Sequence, residues 1–367
     1  MIKKEKINKI LKKYDASKIK IATVCSHSAL QIFYGAKQEG FITIGICERK
    51  RKEAYEAFPF GKPDKFIIVD NFKDILKERY MEFLRKENAI MIPHGSFIEY
   101  IGPENLENKF FVPMFGNRKT LEWEGNRKKQ RDWLKKARLS LPKEFKNHSK
   151  IRGKAFVKLS GAKGGKGFFT VNSKEELKRK LRERTNNGLI KKEDSKNITI
   201  QEFISGVRYY VHYFYSPFFK NGARAGNGRI ELLSMDKRIE PIDESYRGLP
   251  QISEEFFDYT VTGNQPVIVR ESLIPDLIKL GVNIVNTSIK LFPPGIIGPF
   301  CLETIYHPKK GFTVFEISAR IVAGTNLYPQ GSQYSCYIFE EPMSTGRRIA
   351  REIREGIKKR ELKKVIF

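Results

Sequence analysis

Three sets of residues in this chain have the types and spacing to do chemistry, and the first lies between Phe156 and Val171, FVKLSGAKGGKGFFTV. Two apolar runs flank a loop holding Gly161, Gly164, Gly165 and Gly167 with Lys163 and Lys166, and Lys158 sits on the leading run. Glycine lets backbone N–H groups turn tightly and approach phosphate oxygens where a Cβ would block them, and the lysines bring countercharge. The same residues also describe a lysine-rich β-hairpin with a flexible tip, and the stretch alone does not separate the two readings. The commoner phosphate loops are excluded. No Gly-Lys-Ser/Thr ends the loop, and an apolar strand pattern follows where those loops need a helix.

The second set is Glu303 and Glu316, each inside an apolar strand pattern, GPFCLETIY and FTVFEISAR. A carboxylate there is costly without a partner. Two on neighbouring strands repel, and a divalent cation shared with nucleotide phosphates relieves them. Exposure to solvent, or pairing with Arg320 and lysines, is the alternative. The third set is Ser26-His27-Ser28 and His94-Gly95-Ser96, each directly after an apolar run. Ser and His beside a helix N-terminus suit a sugar phosphate. A serine there also simply caps the helix, but recurrence of the pattern at two strand ends favours a substrate pocket.

The elements that must position these groups alternate. Strand patterns at 20–25, 41–46, 66–69 and 89–93 leave room for helices between them, the first at 29–38, which predicts a parallel sheet with ligands at the carboxyl ends of its strands. A charged helical stretch runs over 117–141, and the boundary falls near Phe115-Gly116. Beyond it come the Gly loop, a helix at 174–184, a strand at 198–206 containing Gln201 and Glu202, and YYVHYFYSP, whose alternating aromatics predict a half-buried strand. IELLSMDKRIE is a further strand, a helix spans 274–291, and the two Glu-bearing strands form a hairpin. A last amphipathic helix, with Ile349, Ile353 and Ile357 on one face, is expected to serve packing only.

With 367 residues, 40% hydrophobic and 12% aromatic, the chain has material for two or three globular cores and is not a disordered protein. No apolar run is long enough to span a bilayer, and MIKKEKINKILKKY is a charged amphipathic helix without signal-peptide features, so no membrane association and a cytoplasmic location are expected. Cys25, Cys47, Cys301 and Cys336 are too scattered for a zinc or disulfide framework and read as reduced thiols. The formal charge of +27 permits nucleic-acid binding, but solvated lysine-rich helix faces and anionic small substrates account for it better.

Taken together these residues resemble the ATP-grasp superfamily, and within it the archaeal formate-dependent FAICAR synthetases of purine biosynthesis. The segments that carry the resemblance are SHSALQI (26–32), PHGSF (93–97), VPMFGN (112–117), GAKGGKGFF (161–169), HYFYSP (212–217), MDKR (235–238), TGNQPVIVRESL (262–273), GPFCLE (298–303) and FEISARIVAGTN (315–326). The resemblance implies an α/β and α+β chain, with a Rossmann-like pre-ATP-grasp domain over 1–116 and a two-lobed ATP-grasp domain over 117–367, divided near 206. It implies formylation of AICAR, 5-aminoimidazole-4-carboxamide ribonucleotide, by formate and ATP, giving FAICAR, ADP and phosphate through formyl phosphate. His27, Ser96 and Asn264 would meet AICAR. Lys158 with Gly161, Gly164, Gly165, Lys166 and Gly167 would cover the ATP phosphates, Gln201 and Glu202 the adenine, and Glu240 the nucleotide. Glu303 and Glu316 would hold Mg²⁺, with Mn²⁺ as the other candidate, and Arg320, on the same strand face as Glu316, would neutralise the transferring phosphoryl group. A homo-oligomer is compatible with the family.

Two departures stand out. Residues 241–250 do not follow the family's pattern although Glu240 does, and Lys220 to Gly228 lengthens a turn. An ATP-grasp ligase for another carboxylate or amine, and a basic nucleotide- or RNA-binding protein that has lost the chemistry, are therefore the competing readings. The second leaves two acids inside apolar strands without a purpose.

Overall fold

A computed structural model describes residues 2–159, 168–191, 195, 198–240 and 260–367. The N-terminal part holds β1 (Lys20–Val24), β2 (Thr43–Glu48), β3 (Lys65–Val69) and β4 (Ala89–Met91). They form one parallel sheet in the order β3-β2-β1-β4, as the alternation of strands and helices predicts. Central β1 is buried along nearly its whole length, so its run of apolar residues needs no polar alternation. Chain crossing from β1 to β2 passes through the helix Ala29–Gln38.

A small lobe contains β5 (Ala155–Lys158), β6 (Phe169–Val171) and β7 (Thr199–Glu202), antiparallel in the order β6-β5-β7. Its core is modest, with Val157, Phe169, Val171, Leu177 and Ile200 packed under the helix Lys174–Asn186. The antiparallel pair β5–β6 flanks the Gly-rich stretch, as the two apolar runs predict. Gly161, Gly164, Gly165, Lys166 and Gly167 themselves lie outside the described residues, as does the divergent segment 241–250.

The large C-terminal sheet is built from β8 (Val207–Ser216), β9 (Ala223–Ala225), β10 (Gly228–Ile239), β11 (Gly263–Pro266), β12 (Gly298–His307) and β13 (Gly311–Ser318). Its order is β11-β10-β8-β12-β13, with β9 paired to β10. The stretch Lys220 to Gly228 is therefore not a plain extended turn, since Ala223–Ala225 folds back on β10. The aromatic strand β8 also departs from expectation. It is buried on both faces, not half-buried, because Val211, Tyr213 and Tyr215 enter the main core under the helix Ile274–Leu291 while Phe214 packs against the N-terminal part.

That second face welds the two parts of the chain. Phe214 and Leu233 of the large sheet, with Ile297 just before β12, meet Ile21 and Ile90 of the N-terminal sheet, Ile92 just past β4 and Ile32 of the helix Ala29–Gln38, with Ile349 and Ile353 of the helix Thr345–Lys358 in the same cluster. The last helix does more than the packing expected of it. Arg347, Arg351 and Arg354 converge on the Glu39 carboxylate, whose side chain is shielded from solvent, and Arg348 is buried against Glu231 and Glu352. Part of the positive charge is thus internal and paired, not a solvated face. Arg118 closes the other side, donating to the carbonyls of Leu106, Phe110, Val112 and the terminal Phe367.

Candidate active site

Glu303 on β12 and Glu316 on β13 are direct cross-strand partners, with a bulge just after Glu303. Bulges re-aim side chains at the edge of a ladder. Glu303 is buried, and burial raises its pKa, with Glu316 pushing the same way and Arg238 opposing. The Arg238 guanidinium, above the Tyr210 ring at 3.9 Å, donates to both Glu303 oxygens over 2.9 and 3.3 Å. Sequence reasoning missed Arg238. It ends the motif MDKR, but only the strand order, with β10 and β12 on either side of β8, brings it to Glu303.

Lys158 closes this centre from the small lobe. It is buried, its Nζ lies 5.0 Å from the Phe315 ring centre, and burial lowers its pKa against the attraction of Glu316 and Glu303. The chain thus brings Lys158 from the small lobe to Glu303 and Glu316 on a hairpin far along the sequence. Two neighbouring carboxylates with a lysine beside them fit a divalent cation that takes its remaining ligands from phosphate oxygens and water. Among the described residues no cluster of three or more His, Cys, Asp or Glu side chains offers another metal site.

Gln201 and Glu202, adjacent on β7, stand where the small lobe joins the rest. Gln201 donates to Glu144 at 3.4 Å, and Glu202 accepts from the Lys143 backbone at 3.1 Å. Glu240, just past β10, is buried and accepts from Arg208 at 2.6 Å.

The second cluster forms at the carboxyl ends of β1 and β4. His27 has a positive φ of 54°, an uncommon conformation for a residue with a Cβ and one that often marks a functional constraint. Its ring stacks on His94 with centroids 5.4 Å apart, and its Nδ1 lies 2.7 Å from Ser28 Oγ. His94 Nε2 is 3.0 Å from the Val24 carbonyl, so that nitrogen carries the proton, and Nδ1 accepts from the Ser96 N–H at 3.3 Å. Burial pushes the His94 pKa down to about 3, so the imidazole is neutral. His27 reaches solvent at the mouth of the cleft, yet desolvation by the surrounding protein and then the Arg320 charge also push its pKa down. Gly95 makes the approach possible, since a Cβ there would lie 2.8 Å from His27 Nε2. Ser96 is buried at the start of the π-helical turn Phe97–Ile101, a kind of element frequent at functional sites.

Arg320 is not on the strand face of Glu316. β13 ends at Ser318, and Arg320 turns into the following loop, where Nη2 meets Glu124 Oε1 at 3.1 Å and Cζ lies close to Gly95. Period-2 alternation fails here because the strand stops two residues earlier. The guanidinium stands on the His27 side of the cleft, and its buried Nε has no hydrogen-bond partner among the described residues. The loop continues through Asn326, which donates to the His27 carbonyl at 3.2 Å, and Gln31 binds Thr325 and Asn326. Asn264, on β11, donates to Asp236 at 2.7 Å. One hairpin and its exit loop therefore carry Glu303, Glu316 and Arg320 and touch His27.

Residues 21–145 match a family described as "Protein of unknown function (DUF1246)", and residues 176–367 match one described as "Domain of unknown function (DUF1297)". A crystal structure of an IMP biosynthesis protein PurP from Thermococcus kodakaraensis superposes with a TM-score of 0.74 at 31% identity, covering 95% of this chain and all of that one. Biotin carboxylase from Campylobacter jejuni, crystallised as a β,γ-ATP complex, shares the fold at a TM-score of 0.62 and 11% identity, over 92% of this chain and 71% of its own. The architecture is that of the ATP-grasp proteins. The curated 5-formaminoimidazole-4-carboxamide-1-(beta)-D-ribofuranosyl 5'-monophosphate synthetase of Korarchaeum cryptofilum is 53% identical over 368 residues, covering both chains completely. With identity of that order along its full length and the PurP fold around one cleft, the chain belongs to the 5-formaminoimidazole-4-carboxamide ribonucleotide synthetase family.

Proposed function

We propose that the chain formylates AICAR with formate at the expense of ATP, acting as an ATP-dependent carbon–nitrogen ligase of purine biosynthesis in the cytoplasm. The observation that carries this reading is the junction of two unlike sites on one hairpin. Paired carboxylates with Lys158 suit a nucleotide triphosphate, and a neutral His27–His94 stack beside Arg320 suits a second, phosphorylated substrate.

Formate is a poor acylating agent because its oxygen leaves badly. Transfer of the γ-phosphoryl group from ATP to a formate oxygen gives formyl phosphate and ADP. The AICAR amine then attacks the formyl carbon, the C–O bond to phosphate breaks, and the departing phosphate takes the amine proton. Such transfers depend on positioning and neutralised charge more than on protein nucleophiles. Mg²⁺, or Mn²⁺ in its place, would be held by Glu303 and Glu316 and would supply charge neutralisation at the β- and γ-phosphates. Lys158 and the lysines of the Gly loop hold the phosphate chain, Gln201 and Glu202 border the adenine, and Glu240 reaches the nucleotide. His27, Ser96 and Asn264 hold AICAR, and Arg320 faces the anion formed between the two substrates. Imidazoles kept neutral on the AICAR side neither repel Arg320 nor quench the amine by protonating it.

ADP release measured across formate, acetate and several aminoimidazole nucleotides tests the assignment. Full rate is expected with formate and AICAR together. A comparable rate with acetate, or with another amine in place of AICAR, would transfer the reading to a paralogous ligase.

A further inference from the structure

His212 and Asp236, in the motifs HYFYSP and MDKR, have no part in the chemistry above, yet they pack together as a buried pair beside Asn264. Asp236 is 1% exposed. Its Oδ2 accepts from Asn264 Nδ2 at 2.7 Å, its Oδ1 lies 2.7 Å from His212 Nε2, and His212 Nδ1 lies 2.7 Å from Ser234 Oγ. A carboxylate can only accept hydrogen bonds, so this contact decides which way the Asn264 amide faces: Nδ2 inward, Oδ1 outward. The carboxylate has no room to turn. His212 holds one side, and Gly324 presses so close that a Cβ would fall 2.1 Å from Oδ1.

Asn264 is only partly buried, and its Oδ1 accepts from no described residue. Its place is fixed by the ladder. Asn264 is the cross-strand partner of Arg238, which binds Glu303, and the 323–327 turn that covers Asp236 also reaches the His27 carbonyl through Asn326. The free oxygen therefore stands between the carboxylate side of the cleft and the His27 side. We propose that Asp236, braced by His212, is a positioning residue that presents Asn264 Oδ1 as an obligate acceptor, so that this position reads the N–H of the reacting amine. The inference rests on the functional reading above and deepens it. One N–H held by Oδ1 aims the nitrogen lone pair at the acyl carbon, while the other proton leaves with phosphate. A nucleotide bearing an acceptor, or nothing, in place of the amine leaves Oδ1 unpaired and is rejected.

The pair can be reversed. In Asp236→Asn combined with Asn264→Asp, the amide now at 236 donates to the carboxylate now at 264, whose second oxygen still faces the amine. Steady-state ADP release, with formate and ATP saturating and AICAR varied, should show kcat/KM for AICAR falling about 10- to 100-fold in each single variant, with KM for ATP within about twofold of wild type. The double variant should recover to within roughly threefold, a coupling that loss of packing does not produce. Singles without effect, or a double variant no better than the worse single, would overturn the inference. The desamino analogue of AICAR, used as a competitive inhibitor, supplies an arm that needs no Asp236 variant. Wild type should prefer AICAR by about tenfold or more, and Asn264→Leu should erase the preference; a preference that survives overturns the inference. Wild-type turnover that ignores AICAR would overturn the functional reading and this inference with it, whereas normal AICAR dependence with an unaltered Asp236→Asn variant would overturn this inference alone.

Discussion

Arg238→Met removes the resident counter-ion of Glu303 while keeping an apolar stem. The Glu303 side chain is 6% exposed and that of Arg238 24%. Breaking a fully buried ion pair costs about 3–5 kcal/mol, and with a quarter of the arginine open to water we expect roughly 2–3 kcal/mol. For cooperative unfolding of a chain this long, that is a fall in Tm of about 3–4 °C. The pH dependence is more specific. Burial already raises the Glu303 pKa above 4.5 and Arg238 opposes it, so the variant's carboxyl titrates higher still. A folded-state pKa above the unfolded one lends stability that is complete below the unfolded value and is lost as pH rises through the folded one. The metal-free variant should therefore lose stability relative to wild type as pH climbs above 4.5, whereas its turnover should gain, because only the carboxylate binds the cation. Thermal melts by circular dichroism at several pH values, with and without Mg²⁺ and ADP, measure this. Restoration of part of the lost Tm by Mg²⁺-ADP is expected. A variant whose melting curve parallels wild type at every pH would refute the view that Arg238 keeps Glu303 charged.

Other substitutions separate the remaining parts. Glu316→Gln should reduce turnover at least ~10³-fold while AICAR binding, followed by calorimetry, changes less than about threefold; lost AICAR binding would remove Glu316 from the metal role. Lys158→Met should raise KM for ATP about tenfold and leave KM for AICAR unchanged, since a charged hydrogen bond to phosphate is lost on one substrate only. Glu39→Gln leaves Arg347, Arg351 and Arg354 facing a neutral amide and should destabilise the chain by roughly 2–4 kcal/mol by chemical denaturation, with kcat little changed in the folded fraction. His94 is held neutral with a pKa of about 3, well under its ordinary 6.5, so it contributes a loss of stability as pH falls from 6.5 toward 3, on the order of 5 kcal/mol in all. Acid unfolding of His94→Gln should accordingly be shallower over that window.

Much of this was legible in the sequence because the informative signals are local. The parallel sheet announces itself as apolar runs at helical spacing, and the β5–β6 pair as two apolar runs around glycines. Glu303 and Glu316 stood out because an acid inside an apolar strand demands a partner, and they are indeed opposite each other. Partners from elsewhere in the chain were not legible. Arg238 reaches Glu303 across 65 residues and Asp236 meets His212 only through the β8–β10 ladder, so no spacing rule could pair them. Arg320 shows the limit of periodicity, which held up to Ser318 and failed where the strand ended. Charge was the least informative count. The last helix was expected to serve packing alone, and its arginines proved to be paired with Glu39, Glu231 and Glu352, with Arg348 fully buried.

The route of one oxygen atom reports whether formyl phosphate forms. With formate labelled with ¹⁸O at both positions, ATP and AICAR, passage through formyl phosphate puts one labelled oxygen into inorganic phosphate and leaves the other in the formyl group of the product. Mass spectrometry of the phosphate from single-turnover reactions should therefore find one ¹⁸O per phosphate formed, in step with FAICAR. Unlabelled phosphate alongside formylated product would rule out formyl phosphate as the intermediate.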